Sequence, residues 1–174
     1  MKARRLVLLV TLALAAALLA TVPAAAGGGV IPFRGHMTSI ESLGAGTPTP
    51  LPGGRILVTG AGLKICYVAD EVDPDHDYLT GCWFCEYSSI IEPSGAQRVW
   101  GACPRQELTN LQGVGGWVHQ FQGEWTPGFP PKTISLHATG QGWGVLEGWR
   151  LQWREFAVNY DEYEVDWGHF TPPR

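Results

Sequence analysis

Two side chains that can transfer protons lie in register with rows of aromatic residues. His119 alternates with Trp117 and Phe121, and Glu147 falls on the period-two row that runs from Trp143 to Trp153. Residues at this spacing share one face of a β-strand. If both rows face the interior of a barrel, desolvation raises the pKa of the carboxyl group. An acid and an imidazole in an aromatic pocket can bind a polar head group or move a proton.

The aromatic members of the two rows complete the predicted pocket. The candidate ligand-binding residues are Trp117, Phe121, Trp143, Trp149 and Trp153. The alternative is that Gly144 or Gly148 marks a bulge, which turns Glu147 toward solvent, while His119 hydrogen-bonds a backbone carbonyl. Glu147 and His119 are therefore candidate catalytic residues only if both point inward.

Four cysteines, an even number, predict two disulfides in an oxidising compartment: Cys66, Cys82, Cys85 and Cys103. Cys82 and Cys85 point to opposite faces of a straight strand, so we expect each to bond either Cys66 or Cys103. A thioredoxin-like redox motif needs a helix after its first cysteine, and no helical pattern follows here. A four-cysteine zinc site usually has two close pairs of ligands, and this chain has one.

An acidic loop at residues 70–77 could supply oxygen ligands to a cation such as calcium. Its weak candidates are Asp73, Asp75 and Asp77. The loop lacks the central glycine and the final glutamate of an EF-hand, and solvated charges on a turn are the simpler explanation. We predict no metal site.

Two glycine-rich segments, residues 58–62 and 140–144, resemble phosphate-binding loops at first sight. Such loops require a following helix whose N-terminus meets the phosphate, and neither segment is followed by a helical pattern. Bends in a strongly curved sheet explain both segments, and no cofactor is predicted.

The first 26 residues have the pattern of a cleaved secretory signal. A basic start precedes an apolar run over residues 6–22, and residues 23–26 supply a Pro-Ala-Ala-Ala cleavage region. The apolar run is short for a membrane span, and no later stretch is as long. We therefore expect a secreted or periplasmic protein with no membrane span in its mature form.

The charge of the chain is a guide to its partners. Removing residues 1–26 takes away three cations and changes the net charge from −4 to −7. An acidic protein of this kind does not favour nucleic acid or an anionic membrane surface as a partner.

The pattern of apolar residues predicts an all-β fold. About eight strand-like segments are separated by turn signals rich in glycine and proline: residues 36–42, 55–68, 78–91, 97–108, 117–125, 133–139, 143–153 and 160–170. The apolar positions change face at Gly60-Ala61-Gly62, which predicts a bulge. We expect a closed antiparallel barrel of about eight strands, with a β-sandwich as the alternative. Residues 27–54 are expected to form an arm with the first strand, and residues 55–174 the barrel domain.

From residue 115 to 153 the chain resembles the β-barrels of the allene oxide cyclase and dirigent type, including exported bacterial members of unknown function. The resemblance rests on Gln122-Gly123-Glu124-Trp125, on residues 137–142 and on Leu146-Glu147-Gly148. It implies an eight-stranded, calycin-like barrel in which a glycine-rich hairpin precedes a strand that lines the interior. It carries no catalytic position onto this chain, and the four cysteines and the acidic loop depart from the pattern.

Three functions are compatible with these patterns. A barrel of about eight strands can hold one small apolar or amphipathic ligand. With a packed interior, exposed tryptophans would instead favour a surface or carbohydrate interaction module. An isomerase, cyclase or hydrolase would use Glu147 and His119. A cavity that contains these polar side chains would favour the first or third function.

Overall fold

The computed structural model describes residues 29–126, 133–157 and 164–174, and the predicted signal segment and residues 160–163 of the last predicted strand lie outside them. The described chain is all-β. Its strands are β1 (Ile31–Gly44), β2 (Thr47–Pro50), β3 (Ile56–Glu71), β4 (Gly81–Ile91), β5 (Gln97–Leu108), β6 (Gly115–Trp125), β7 (Ile134–Gly144), β8 (Arg150–Ala157) and β9 (Glu164–Thr171). Among these residues no helix is long and apolar enough to cross a membrane.

Eight of the strands form a closed ring. The hydrogen-bonded order is β1-β9-β8-β7-β6-β5-β4-β3, and β1 also pairs with β3, so that the sheet meets itself. Every pairing is antiparallel, and β2 adds a short strand beside the start of β3. The predicted closed antiparallel barrel is confirmed. Because β1 closes the ring, the stretch expected to be an arm contributes a full strand to the barrel.

The predicted change of face in β3 is present at Gly60. The register between β3 and β4 shifts between Val58 and Ala61, and Gly60 has a φ of 67°, a conformation that side chains with a Cβ rarely adopt. Beyond the shift, Ala61 and Leu63 are buried. The bulge therefore turns the second half of β3 toward the core.

The core lies inside the ring. Its largest fully buried side chains come from seven strands and their connections: Trp117, Phe33, Phe170, Leu63, Leu79, Ile134, Leu146, Leu151 and Val99. Trp117 stacks on Phe170 with ring centroids 5.5 Å apart, and the Trp117 indole donates to the backbone oxygen of Tyr78. This packing fills one end of the barrel.

Both disulfides join neighbouring strands. Cys66 on β3 bonds Cys82 on β4, and Cys85 on β4 bonds Cys103 on β5. The second bond is buried, whereas the cysteines of the first are partly exposed, as expected if Cys82 and Cys85 point to opposite faces of β4. The predicted pairing is confirmed, and all four thiols are engaged.

Reduction of the two disulfides is expected to lower the melting temperature. The bonded residues are 16 and 18 positions apart. Closing a loop of this size contributes on the order of 3 kcal/mol per bond by limiting the unfolded chain. Peptide mapping without reduction should recover Cys66 with Cys82 and Cys85 with Cys103. Four free thiols, or a bond between Cys82 and Cys85, would contradict the pairing.

Candidate functional site

His119 points into the barrel from β6. It is 3% exposed, and its ring lies 4.3 Å from that of Trp153 and 5.1 Å from that of Trp83, measured between centroids. Neither ring nitrogen has a hydrogen-bond partner among the residues that the structure describes. Burial lowers the pKa of His119 to about 3, since the charged imidazolium loses its hydration. His119 is therefore a neutral imidazole with one donor and one acceptor to offer.

Glu155 is the acid of the interior, and it points inward from β8. Glu155 is 7% exposed, and its Oε1 atom has no hydrogen-bond partner among the residues that the structure describes. Burial raises the pKa of Glu155 to about 7 by desolvating the carboxylate. Near neutral pH the group is thus divided between a carboxylate, which only accepts hydrogen bonds, and a carboxylic acid, which can also donate one.

Glu147 does not occupy the interior position predicted for it. It lies exposed in a turn at residues 145–148, where its backbone N–H donates to the oxygen of Gly144. Gly144 and Gly148 both have positive φ values, 64° and 81°. The period-two row therefore stops at this turn, and the alternative that places Glu147 in solvent is the correct one. The predicted pair of Glu147 and His119 does not form.

The sequence signal for Glu155 was present two residues beyond the predicted row. Leu151 and Trp153 alternate inward along β8, and Glu155 continues that alternation. The prediction extended the row backward across Gly144 and Gly148, where it breaks, and missed its forward continuation.

A cavity of about 30 Å³ joins His119 and Glu155. By the same measure a water molecule needs ~10–15 Å³, so the cavity has room for about two waters. Its other lining residues are mostly apolar or aromatic: Phe33, Met37, Ile65, Tyr67, Leu79, Trp83, Cys103 and Trp153. Met37 and Ile65 are only partly buried.

The two polar groups reach the cavity from β6 and β8, which are two strands apart in the ring. Across the ladder His119 pairs with Gly140, and Gly140 pairs with Leu151. Glu155 is four residues further along the same strand, which corresponds to ~13 Å of strand length. Trp153 lies between these two positions on β8 and contacts the His119 ring. Both polar groups can therefore hydrogen-bond one molecule bound in the cavity.

Of the predicted ligand-binding aromatics, only Trp153 lines this cavity. Phe121 is buried beside His119, with ring centroids 6.1 Å apart, and Trp117 is packed on Phe170. Trp149 is partly buried and packs on Tyr78, with ring centroids 5.4 Å apart. Trp143 was wrongly placed inside: it is 43% exposed, because it lies at the end of β7 where the chain turns.

The acidic loop uses its carboxylates to hold its own backbone. Asp73 accepts a hydrogen bond from the N–H of Asp75, and Asp77 accepts from Leu79 and Thr80. Asp73 also lies 3.1 Å from His76. In the part of the chain that the structure describes, no three acidic, histidine or cysteine side chains are grouped as metal ligands would be.

Comparisons with protein-family models, with curated proteins and with solved structures find no match to this chain.

Proposed function

We propose that this chain is an exported β-barrel that binds a small amphipathic molecule in its interior. The observation that carries the proposal is that both ring nitrogens of His119 and the Oε1 atom of Glu155 are buried on one aromatic-lined cavity, without a hydrogen-bond partner among the described residues. Leaving a buried polar group without a hydrogen bond costs about 1–3 kcal/mol. A ligand that hydrogen-bonds both groups would recover that cost. Polar groups in an apolar pocket also fix the orientation of a ligand and select among ligands.

The lining indicates the chemistry of the ligand. Phe33, Trp83 and Trp153 offer flat apolar surfaces, which suit a single aromatic ring. Because the cavity has room for only about two waters, its lining side chains, including the flexible Met37, must move apart to admit that ring. Glu155 and His119 together offer hydrogen-bond donors and acceptors on one cavity, so we infer that the ligand carries two hydroxyl or amine groups.

Export and family are part of the same proposal. The signal pattern of residues 1–26 and the two disulfides support a secreted or periplasmic location. The resemblance to the allene oxide cyclase and dirigent barrels implies that the strand after a glycine-rich hairpin lines the interior. In this chain that strand is β8, which carries Glu155.

The proposal is tested with two ring compounds of similar size. We expect 4-hydroxybenzyl alcohol, which has a hydroxyl at each end, to bind more tightly than p-xylene, which has none. Binding is measured by the change in tryptophan fluorescence, because Trp83 and Trp153 line the cavity. Replacing Glu155 with Leu should weaken the alcohol at least tenfold, equivalent to about 1.4 kcal/mol, and reduce its preference over p-xylene.

Glu147→Gln is the matched control, since it changes an exposed acid outside the cavity. It should leave both affinities unchanged. The proposal is overturned if neither compound binds. It is also overturned if Glu147→Gln weakens binding of the alcohol as much as Glu155→Leu does.

A further inference from the structure

The outward face of β5, β6 and β7 carries an exposed tryptophan beside polar side chains. Trp100 is 42% exposed and pairs across the ladder with Gln122, which in turn pairs with His137. Gln122 and His137 are also exposed. Neighbouring strands are ~4.8 Å apart, so the three side chains form a short continuous row on the surface.

Two grooves flank this row and share its three residues. One groove, of about 680 Å³, is also lined by Glu86, Ser88, Gln120 and Thr139. The other, of about 760 Å³, is also lined by Arg98, Glu124, Ser135 and Arg154. Trp100 therefore stands between two polar depressions.

The charges in the grooves are few and largely balanced. Glu86 is the only aspartate, glutamate, lysine or arginine that lines the first groove among the described residues. In the second, Arg98 bonds Glu92 at 3.2 Å, and Arg154 lies over the Trp167 ring at 5.2 Å. Glu124 offsets the remaining positive charge. This balance favours an uncharged partner over a strongly anionic or cationic one.

Amide, hydroxyl and imidazole groups both donate and accept hydrogen bonds, as the hydroxyls of a sugar do. A tryptophan ring offers a flat apolar surface for the C–H face of a sugar ring. The two grooves on either side of that ring have room for further sugar units of the same chain. The chemistry of this face thus matches a neutral oligosaccharide in polarity, in shape and in charge.

We infer that the outward face of β5 to β7 binds a neutral oligosaccharide, with one sugar stacked on Trp100 and its neighbours in the two grooves. This site is separate from the interior cavity, and the two share no lining residue. The interior proposal can therefore fail without affecting this one.

The test is calorimetric titration of the full chain with cellohexaose, xylohexaose and maltohexaose, and with the anionic hexagalacturonate. At least one neutral hexasaccharide should bind, and Trp100→Ala should weaken that binding at least tenfold. Gln122→Ala, which keeps the ring and removes the amide shared by both grooves, should weaken it as well.

Trp143→Ala is the matched control, because Trp143 is equally exposed, at 43%, but lines neither groove. It should leave the affinity unchanged. The inference is overturned if no neutral hexasaccharide binds, if Trp143→Ala weakens binding as much as Trp100→Ala, or if hexagalacturonate binds more tightly than the neutral sugars.

Discussion

Replacing Glu155 with Gln is expected to stabilise the chain progressively, relative to wild type, as the pH rises from 4.5 to 7. In the folded chain the pKa of Glu155 is raised to about 7 from 4.5 by burial. Between these values the unfolded chain has released a proton that the folded chain retains, so wild-type stability falls with rising pH. The contribution of Glu155 is complete below pH 4.5 and is lost through pH 7. One pKa unit corresponds to about 1.4 kcal/mol, so the variant should gain about 3 kcal/mol across this window.

Replacing His119 with Phe is expected to change the pH dependence in the opposite direction. Burial lowers the pKa of His119 in the folded chain to about 3 from 6.5. Between these values the unfolded chain binds a proton that the folded chain does not, so wild-type stability falls as the pH falls below 6.5. Phe keeps an aromatic ring against Trp83 and Trp153 and cannot be protonated. The variant should therefore gain about 3 kcal/mol over wild type as the pH is lowered from 6.5 to 4.5.

Both effects are measured by urea unfolding at half-unit pH steps, with tryptophan fluorescence as the signal. Each variant is compared with wild type at the same pH, which removes the contribution of the other titrating groups. Glu147→Gln, at an exposed position, is the control and should run parallel to wild type. Parallel profiles for Glu155→Gln or His119→Phe would show that the group concerned is solvated.

The barrel was predictable from the sequence because its strands obey a local rule. Alternation of apolar and polar residues predicted β5 at residues 97–108, where the structure has it. Cys82 and Cys85 point to opposite faces of a strand, which excluded a disulfide between them. The change of face at Gly60 was also visible as a change of parity. Each of these features depends on residues close together in the chain.

The candidate site was less predictable because parity fails wherever the chain turns. In the sequence, the period-two row continues from Trp143 to Trp153 without a break. The backbone nevertheless reverses at the turn marked by Gly144 and Gly148. This turn exposes Trp143 and Glu147, which the row had placed inside. The volume of the cavity depends on contacts between strands far apart in sequence, which alternation does not encode.

The exposed tryptophan of β5 was also readable in principle. Val99 and Cys103 point inward, so Trp100 has the outward parity. Tryptophan generally prefers the core, and Trp100 departs from that preference. Position along the strand, rather than residue type, decided where the ring lies.

The largest stability effect is expected where an aromatic ring of the cavity packs on bare backbone. Phe33 on β1 is 2% exposed and pairs with Gly168 on β9. A Cβ added at Gly168 would overlap the ring of Phe33, and the φ of Gly168 is not in the positive range. The glycine is therefore required by the ring and not by its own backbone. Phe33 also lies 4.8 Å from Phe170, measured between ring centroids.

We expect Phe33→Ala to cost about 3–5 kcal/mol through loss of buried apolar surface and the cavity that remains. Gly168→Ala should cost about 1–3 kcal/mol, because the ring must move from its packed position. In the double variant the added methyl group meets no ring. Its cost should therefore be smaller than the sum of the two single costs by about 0.5–3 kcal/mol.

The four proteins of this cycle are compared by urea unfolding at a single pH. Gly44→Ala is the matched control on β1, since a Cβ there meets nothing within 4 Å and its φ is not positive. It should be close to neutral, because it adds the same methyl group in open space. Additive costs in the double variant, or a Gly168→Ala cost as small as that of Gly44→Ala, would mean that the ring of Phe33 does not rest on Gly168. The close packing of β1 on β9, which shapes one wall of the cavity, would then be incorrect.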